Sequence, residues 1–210
     1  MDEYSYKLDN FLFPLILNVK KPNILEFGVE KGRSTIKFLN LCNKNDGYLF
    51  SVDPVDCSNV SKDSRWTFIK TKDDNFQLVK SKLPSKIDII YLDSVHEAKH
   101  VEKIFYAYYD KLKNGGFFFI DDVSHIPYLK EKKRNNFYCE INNRETYNKI
   151  LDIYNGNSDL FDLSFNFKSS GLAIIKKKSD ESLKNKKKIK TREHTVKNFV
   201  RLLWKNLKRD

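Results

Sequence analysis

The sequence is poor in cysteine, which excludes several classes of small domain. It contains three in 210 residues, Cys42, Cys57 and Cys139. An odd number at wide spacing gives no disulfide framework, and no two stand in the close pairs of zinc or redox motifs. We therefore predict reduced, structural thiols, as is usual in the cytosol.

Long apolar runs are also missing. No stretch approaches the roughly 20 apolar residues that cross a bilayer. Residues 11–17 are apolar, but Pro14 interrupts them, and Asp2 and Glu3 stand where a signal peptide carries basic residues. We therefore expect a cytoplasmic protein.

Positive charge is plentiful, but it is concentrated at one end. The net charge is +11, yet residues 176–210 hold 14 Lys and Arg against 4 acids, and residues 1–175 hold 25 against 24. The body is thus nearly neutral, so the basic balance describes a tail rather than a nucleic-acid-binding fold. With 40% hydrophobic residues, that body is able to form one core.

Short apolar runs alternate with helical patterns along the body. Predicted strands lie near 24–25, 48–52, 66–69, 87–92, 117–120, 161–167 and 171–175. Predicted helices cover 4–18, 35–41, 76–83, 98–112 and 145–154. This order predicts an α/β fold: a Rossmann-like, seven-stranded, mostly parallel sheet with helices on both faces and an antiparallel edge hairpin. We divide the chain into an N-terminal helical segment (1–22), a folded body (23–178) and a basic tail (179–210).

The tail has two parts. Residues 176–192 are rich in lysine and predict a mobile linker, whereas residues 194–209 have apolar and basic stripes at helical spacing. Such a helix favours peripheral contact with the inner face of an anionic membrane, or with a protein partner. Nucleic acid is a weaker candidate, since lysine runs bind phosphate without specificity.

Acids follow four of the five parallel strands. Glu26, Asp53, Asp93 and the pair Asp121-Asp122 stand at strand ends. The carboxyl ends of parallel strands form the ligand-binding edge of such sheets. Because acids are disfavoured in strands and rarely buried unpaired, a row of them there indicates a ligand site.

The first strand leads into a glycine turn, NILEFGVEKGRS, with Gly28 and Gly32 before a helix at Ser34. A dinucleotide fingerprint would need glycine at 30 and 33, where Glu30 and Arg33 stand, and a P-loop would need Lys before the serine. An acid-x-Gly-x-x-x-Gly turn with Asp53 on the next strand instead fits an adenosyl ligand without a pyrophosphate. S-adenosylmethionine is the cofactor that this pattern favours, with contacts from Glu26, Phe27, Gly28, Gly32, Ser34 and Asp53.

Four segments carry a family resemblance: residues 24–34, Asp53, IDIIYLDSVHE (87–97) and LKNGGFFFIDDV (112–123). Over residues 22–125 the chain resembles the class I S-adenosylmethionine-dependent methyltransferases. Within them it is similar to the metal-dependent macrocin and mycinamicin sugar O-methyltransferases. That resemblance implies Mg²⁺ held by Asp93, Asp121 and Asp122, with His96 as the catalytic base beside Asp93.

The expected reaction is methylation of a hydroxyl on a small or glycan-type acceptor. Two alternatives stay open: a metal-independent methyltransferase acting on another acceptor, and a membrane- or RNA-binding protein driven by its tail, with a vestigial methyltransferase fold. Methylation of base amino groups is disfavoured, because DSVH follows the fourth strand where an Asn/Asp-Pro-Pro-aromatic motif would stand. Residues expected to overhang the site are His125, Tyr128, Arg134, Tyr138, Glu140 and Arg144. Asp73 and Asp74 are candidates to approach an adenine.

Overall fold

The computed structural model describes residues 2–124, 137–191 and 195–207, without the side chains of 137–139 and 206. The strands are β1 (Asn23–Phe27), β2 (Tyr48–Asp53), β3 (Trp66–Lys70), β4 (Ile87–Leu92), β5 (Leu112–Asp121), β6 (Phe161–Asn166) and β7 (Leu172–Lys177). The helices are α1 (Glu3–Lys7), α2 (Phe13–Ile16), α3 (Arg33–Asn45), α4 (Phe76–Lys82), α5 (Ala98–Tyr109), α6 (Phe137–Asn157) and α7 (Val196–Leu207), and a π-helical segment (Leu8–Leu12) joins α1 to α2.

All seven strands form one sheet in the order β3-β2-β1-β4-β5-β7-β6. The first five are parallel, and β7 runs antiparallel between β5 and β6. The predicted sheet and its edge hairpin are therefore confirmed. The strand order reverses between β1 and β4, and their carboxyl ends meet at the switch point where such sheets bind ligands.

Both faces of the sheet are covered. Alternate side chains of one strand point to opposite faces, so Ile24 packs with the N-terminal helices and α3, while Leu25 packs with α5 and α6. Rings of Phe105, Tyr109 and Phe161 meet at tilted or edge-on angles within the second layer. Two-sided burial explains why the strands read as continuous apolar runs.

Two boundaries differ from the prediction. The predicted helix (98–112) and strand (117–120) left Asn114-Gly115-Gly116 between them. In the structure these three residues lie inside β5, which begins at Leu112. The pairing of β4 with β5 shifts register between Ile87 and Ile89, and Gly115 has a φ of +79°. The glycines thus accommodate a bulge, which sequence alone does not distinguish from a break. Helix α6 is also longer than the 145–154 predicted.

The linker after the body is held against it. The Tyr106 hydroxyl donates to the Lys184 carbonyl at 2.9 Å. The Lys187 and Ile189 amides donate to the carbonyl and carboxylate of Asp152 at 2.9 and 2.8 Å. The prediction of a mobile linker is therefore wrong for residues 184–189.

In the part of the chain that the structure describes, no helix combines the length and the apolar character needed to cross a bilayer. Cys42 and Cys57 are buried free thiols, as predicted, whereas the Cys139 side chain lies outside the described residues.

A buried carboxyl joins β1 to its neighbours. Glu26 is fully buried, and its oxygens accept hydrogen bonds from the hydroxyls of Ser34 at 2.6 Å, Thr35 at 2.8 Å and Ser51 at 2.6 Å. Burial raises the pKa of Glu26 to about 7, although the three hydroxyls oppose the rise. The residue predicted to touch the cofactor instead fastens β1 to α3 and β2.

This carboxyl should make stability depend on pH. Its pKa rises from an ordinary 4.5 to about 7 on folding, so its contribution is fully present below pH 4.5 and is lost as pH rises through 7. Replacing Glu26 with Gln should remove that loss. In urea unfolding, the stability of the wild type relative to Glu26→Gln should fall by roughly 1–3 kcal/mol between pH 4.5 and 8. A difference that does not change with pH would contradict the assignment.

Candidate active site

A cleft of about 460 Å³ opens at the carboxyl edge of the sheet, within the size range of small-molecule sites. Its lining comprises Tyr4, Gly28, Val29, Glu30, Arg33, Ser34, Asp53, Pro54, Asp93, Ser94, Val95, His96, Asp121 and Asp122. Most of the predicted site residues therefore come together. Glu26, Phe27 and Gly32 do not line this cleft, and Phe27 packs in the core against Tyr108.

The glycine turn is dictated by packing within the protein. Gly28 has a φ of +91°, and a Cβ there would lie 1.9 Å from the Asp93 carbonyl oxygen. Gly32 precedes α3 with a φ of +75°, and a Cβ would overlap the Val60 side chain at 2.2 Å. Both positions thus require glycine. The result brings the end of β1 against the end of β4 and directs the start of α3 toward the cleft.

Asp53 organises this turn. Its carboxylate accepts hydrogen bonds from the backbone amides of Val29 at 2.9 Å, Glu30 at 3.3 Å and Val55 at 2.8 Å. A carboxylate has about four acceptor positions, so these bonds leave capacity for a ligand hydroxyl. The predicted ribose-binding acid is therefore also a support for the turn.

His96 lies between two aspartates. Its Nδ1 is 3.2 Å from Asp122 Oδ2, and its Nε2 is 3.9 Å from Asp93 Oδ1. These side chains are 31%, 22% and 21% exposed, respectively, so all three reach the cleft. Asp122 has a φ of +56°, a conformation that Asp tolerates better than most residues. The predicted pairing of His96 with the acids is present.

Asp121 also lines the cleft, but it is paired with a buried lysine. Lys7 is fully buried, and its ammonium forms an ion pair with Asp121 Oδ1 and donates to Ser170 Oγ at 2.9 Å. The other carboxylate oxygen, Oδ2, accepts from the Tyr91 hydroxyl at 2.8 Å. Gly171 permits this approach of the hairpin, because a Cβ there would lie 1.5 Å from the Val123 carbonyl oxygen.

Two tyrosines link the acids. The Tyr4 hydroxyl lies 2.9 Å from Asp93 Oδ2 and 3.1 Å from the Tyr91 hydroxyl. Each phenol has one proton, so Tyr4 donates to Asp93 while Tyr91 donates to Asp121. Burial, together with the charges of Asp121 and Asp122, raises the pKa of Asp93 well above its ordinary range. The site therefore carries more negative charge than its own donors balance.

Among the described residues, no three His, Cys, Asp or Glu side chains are arranged as a ready metal site. Both Asp121 oxygens are engaged, one by Lys7 and the other by Tyr91. The predicted trio of Asp93, Asp121 and Asp122 thus shares one edge of the sheet, but only Asp93 and Asp122 lie beside the same imidazole.

A second, smaller cleft of about 240 Å³ adjoins the first. It shares Pro54, Ser94 and Val95 with the larger cleft and adds, among others, Asp73, Asp74 and His100. Asp73 Oδ2 accepts from Ser94 Oγ at 2.5 Å and lies 2.8 Å from His100 Nε2. The two clefts together give an elongated site across the ends of β1, β2 and β4.

The proposed overhang is only partly described. His125, Tyr128 and Arg134, and the side chain of Tyr138, lie outside the described residues. Glu140 and Arg144 belong to α6 and do not line either cleft.

Sequence reasoning missed Tyr4, Lys7 and Tyr91. Tyr91 stands two residues before Asp93, so strand alternation puts both side chains on one face. Tyr4 and Lys7 are three apart, which places them on one side of α1. These spacings were readable, but Tyr4 and Lys7 meet Tyr91, Asp93 and Asp121 across 87 to 114 residues of the chain.

Comparison with known proteins identifies the fold. Residues 25–123, which run from the middle of β1 to just beyond β5, match a family model described as a methyltransferase domain. No curated protein sequence matches the chain significantly.

Several solved structures share the fold at low sequence identity. A Staphylococcus aureus protein assigned as a caffeoyl-CoA O-methyltransferase is 22% identical, with a TM-score of 0.61 over 84% of each chain. MycE, a mycinamycin-pathway methyltransferase solved with Mg and SAH, is 18% identical with a TM-score of 0.58, over 85% of this chain and 53% of its own. A Clostridium thermocellum protein assigned as an rRNA methylase is 15% identical with a TM-score of 0.62, over 86% of this chain and 98% of its own. Residues 25–123 thus match a methyltransferase-domain model, and the chain shares its fold with these solved methyltransferase structures.

Proposed function

We propose that the protein is an O-methyltransferase that transfers the methyl group of S-adenosylmethionine to a hydroxyl of a small or glycan-type acceptor. The observation that carries this proposal is His96 between Asp93 and Asp122, in the same cleft as the Gly28 turn. A base and two carboxylates beside a cofactor turn suit the activation of a hydroxyl group.

The cofactor would span both clefts. The turn at Gly28 and the beginning of α3 suit the methionine end, because helix amino termini favour carboxylate groups. Asp53 would accept the ribose hydroxyls, and the smaller cleft beside Asp73 would take the adenine. The close approach of Gly28 to Asp93 supports this layout, since it brings the cofactor turn next to the acids.

A divalent cation fits the donor chemistry of this edge. Mg²⁺ is commonly held by one or two carboxylates and keeps other positions for water or substrate. Asp93 and Asp122 would supply those carboxylates, while Asp121 stays paired with Lys7. Such an ion would lower the pKa of an acceptor hydroxyl and orient it. The presence of Mg in the structure of MycE supports this assignment only by analogy.

Residues of this chain would remove the proton of the acceptor hydroxyl. Asp122 near Nδ1 favours the tautomer that carries the proton there, which leaves Nε2 as the acceptor. Nε2 of His96 would take the hydroxyl proton as the acceptor oxygen bonds to the methyl carbon. The carbon–sulfur bond breaks at the same time, and its electron pair stays on sulfur as the neutral thioether.

A metal-independent enzyme is the second candidate, and the buried ion pair favours it. Lys7 supplies one fixed positive charge and engages a carboxylate that the resemblance assigns to the metal. In that version Tyr4 and His96 alone would position the acceptor. The two versions differ in whether the site binds a cation.

Cofactor binding can be tested without knowing the acceptor. Calorimetry should detect S-adenosylmethionine binding and no binding of NAD. Asp53→Asn should weaken the cofactor at least about tenfold, because it removes a charged acceptor for the ribose. Asp56→Asn, at an exposed acid of the same loop, is the matched control and should bind normally. Tight NAD binding, or normal affinity in Asp53→Asn, would contradict the site.

Cation binding distinguishes the two candidates. Calorimetric titration with Mn²⁺ should show one binding site in the wild type. The affinity should be at least about tenfold lower in Asp122→Asn, because a ligand carboxylate is lost. Asp46→Asn, at an acid that is 59% exposed, should bind like the wild type. If the wild type shows no site and methyl transfer resists chelators, the metal-independent version is correct.

Substitution of His96 tests its role as the base. With tritiated S-adenosylmethionine and a panel of catechol, caffeoyl-CoA and sugar acceptors, His96→Asn should lower kcat by about 10²–10⁴. His100→Asn, at the neighbouring imidazole beside Asp73, should raise the KM for the cofactor and leave kcat near that of the wild type. Full activity in His96→Asn would exclude it as the base.

A further inference from the structure

Helix α7 presents a broad apolar face to solvent. Val196, Phe199, Val200, Leu203 and Leu207 recur at helical spacing and are 48–80% exposed. Trp204, adjacent to the same stripe, is 63% exposed. Large apolar side chains grouped at this density indicate a surface that binds something, because scattered exposed residues are common but a continuous stripe is not.

The rest of the helix is basic. Lys197, Arg201 and Lys205 recur every four residues and form a stripe along one side of the apolar face. No acid occurs from 195 to 207. The helix is thus apolar on one side, and all its charged residues on the adjacent side are positive. Such a helix matches a partner with an apolar interior and a negatively charged surface.

The linker limits where this helix can lie. Hydrogen bonds hold residues 184–189 against α5 and α6, and Ile189 is the last residue of the segment held in this way. Six residues lie between Ile189 and Val196, and the seven residue steps from one to the other span at most about 25 Å. A surface bound by α7 therefore lies close to the methyltransferase body.

We propose that α7 lies in the interface of an anionic lipid membrane. The apolar face would enter the boundary between headgroups and acyl chains, and the basic stripe would contact the phosphates. With twelve residues and three cations, the helix is too short and too charged to cross the bilayer. Nucleic acid would pair with the basic stripe but leave the apolar face in water, so it fits the helix less well. This inference does not depend on the transferase activity.

Vesicle co-sedimentation of the full-length protein tests the proposal. The protein should bind vesicles of phosphatidylcholine with about 30 mol% phosphatidylglycerol, and bind pure phosphatidylcholine at least about tenfold more weakly. Leu203→Asn should weaken binding to the anionic vesicles at least about tenfold, because it removes an apolar side chain from the inserted face. Leu202→Asn is the matched control, since Leu202 has similar exposure but lies outside the stripe, and it should change binding less than about threefold.

Charge reversal completes the test. The triple variant Lys197→Glu, Arg201→Glu and Lys205→Glu should abolish the preference for anionic vesicles. Equal effects of Leu202→Asn and Leu203→Asn would overturn the proposed orientation. Absence of vesicle binding, or tight binding to an RNA oligonucleotide that Leu203→Asn leaves unchanged, would overturn the membrane assignment itself.

Discussion

The ion pair between Lys7 and Asp121 is the contact on which the arrangement of the site depends. A parallel sheet collects the carboxyl ends of its strands at one edge, and in this chain those ends carry acids. Unpaired buried charges are costly. Lys7 compensates one of them and, through Ser170, also joins the N-terminal helix to the β6–β7 hairpin. One ammonium thus connects three separate parts of the chain around the cleft.

Two acids near strand ends lie in different surroundings. Glu26 turns inward to the hydroxyls of Ser34, Thr35 and Ser51, whereas Asp93 reaches the cleft. Both follow apolar runs, and the sequence predicted a ligand contact for each, with the cofactor for Glu26 and with a metal for Asp93. What separates them is burial, since three hydroxyls enclose Glu26 whereas 21% of the Asp93 side chain stays exposed. These surroundings are known only after the helix and strands have packed.

This contrast explains how much the sequence could predict. The parallel strands, the glycine turn and the meeting of Asp53, Asp93, His96 and Asp122 follow from local patterns plus the rule that parallel strands end at one edge. The partners of Asp121 do not, because Lys7 is 114 residues away and a lysine near the N-terminus reads as a solvated charge. Long-range polar pairing was therefore the information that the sequence lacked, and it altered the proposed metal ligands.

The linker in the tail likewise makes contacts that its composition did not predict. A lysine-rich composition predicts a mobile chain, yet the backbone of residues 184–189 hydrogen-bonds to α5 and α6, and backbone groups bond irrespective of the side chains they carry. Removing the whole tail would therefore disturb the body as well as the helix. Substitutions confined to α7 separate the two effects, because they leave the linker's contacts in place. An anchored linker also means that any surface held by α7 lies within limited reach of the cleft. Under the proposed function, acceptors at that surface would therefore be favoured over acceptors in bulk solution.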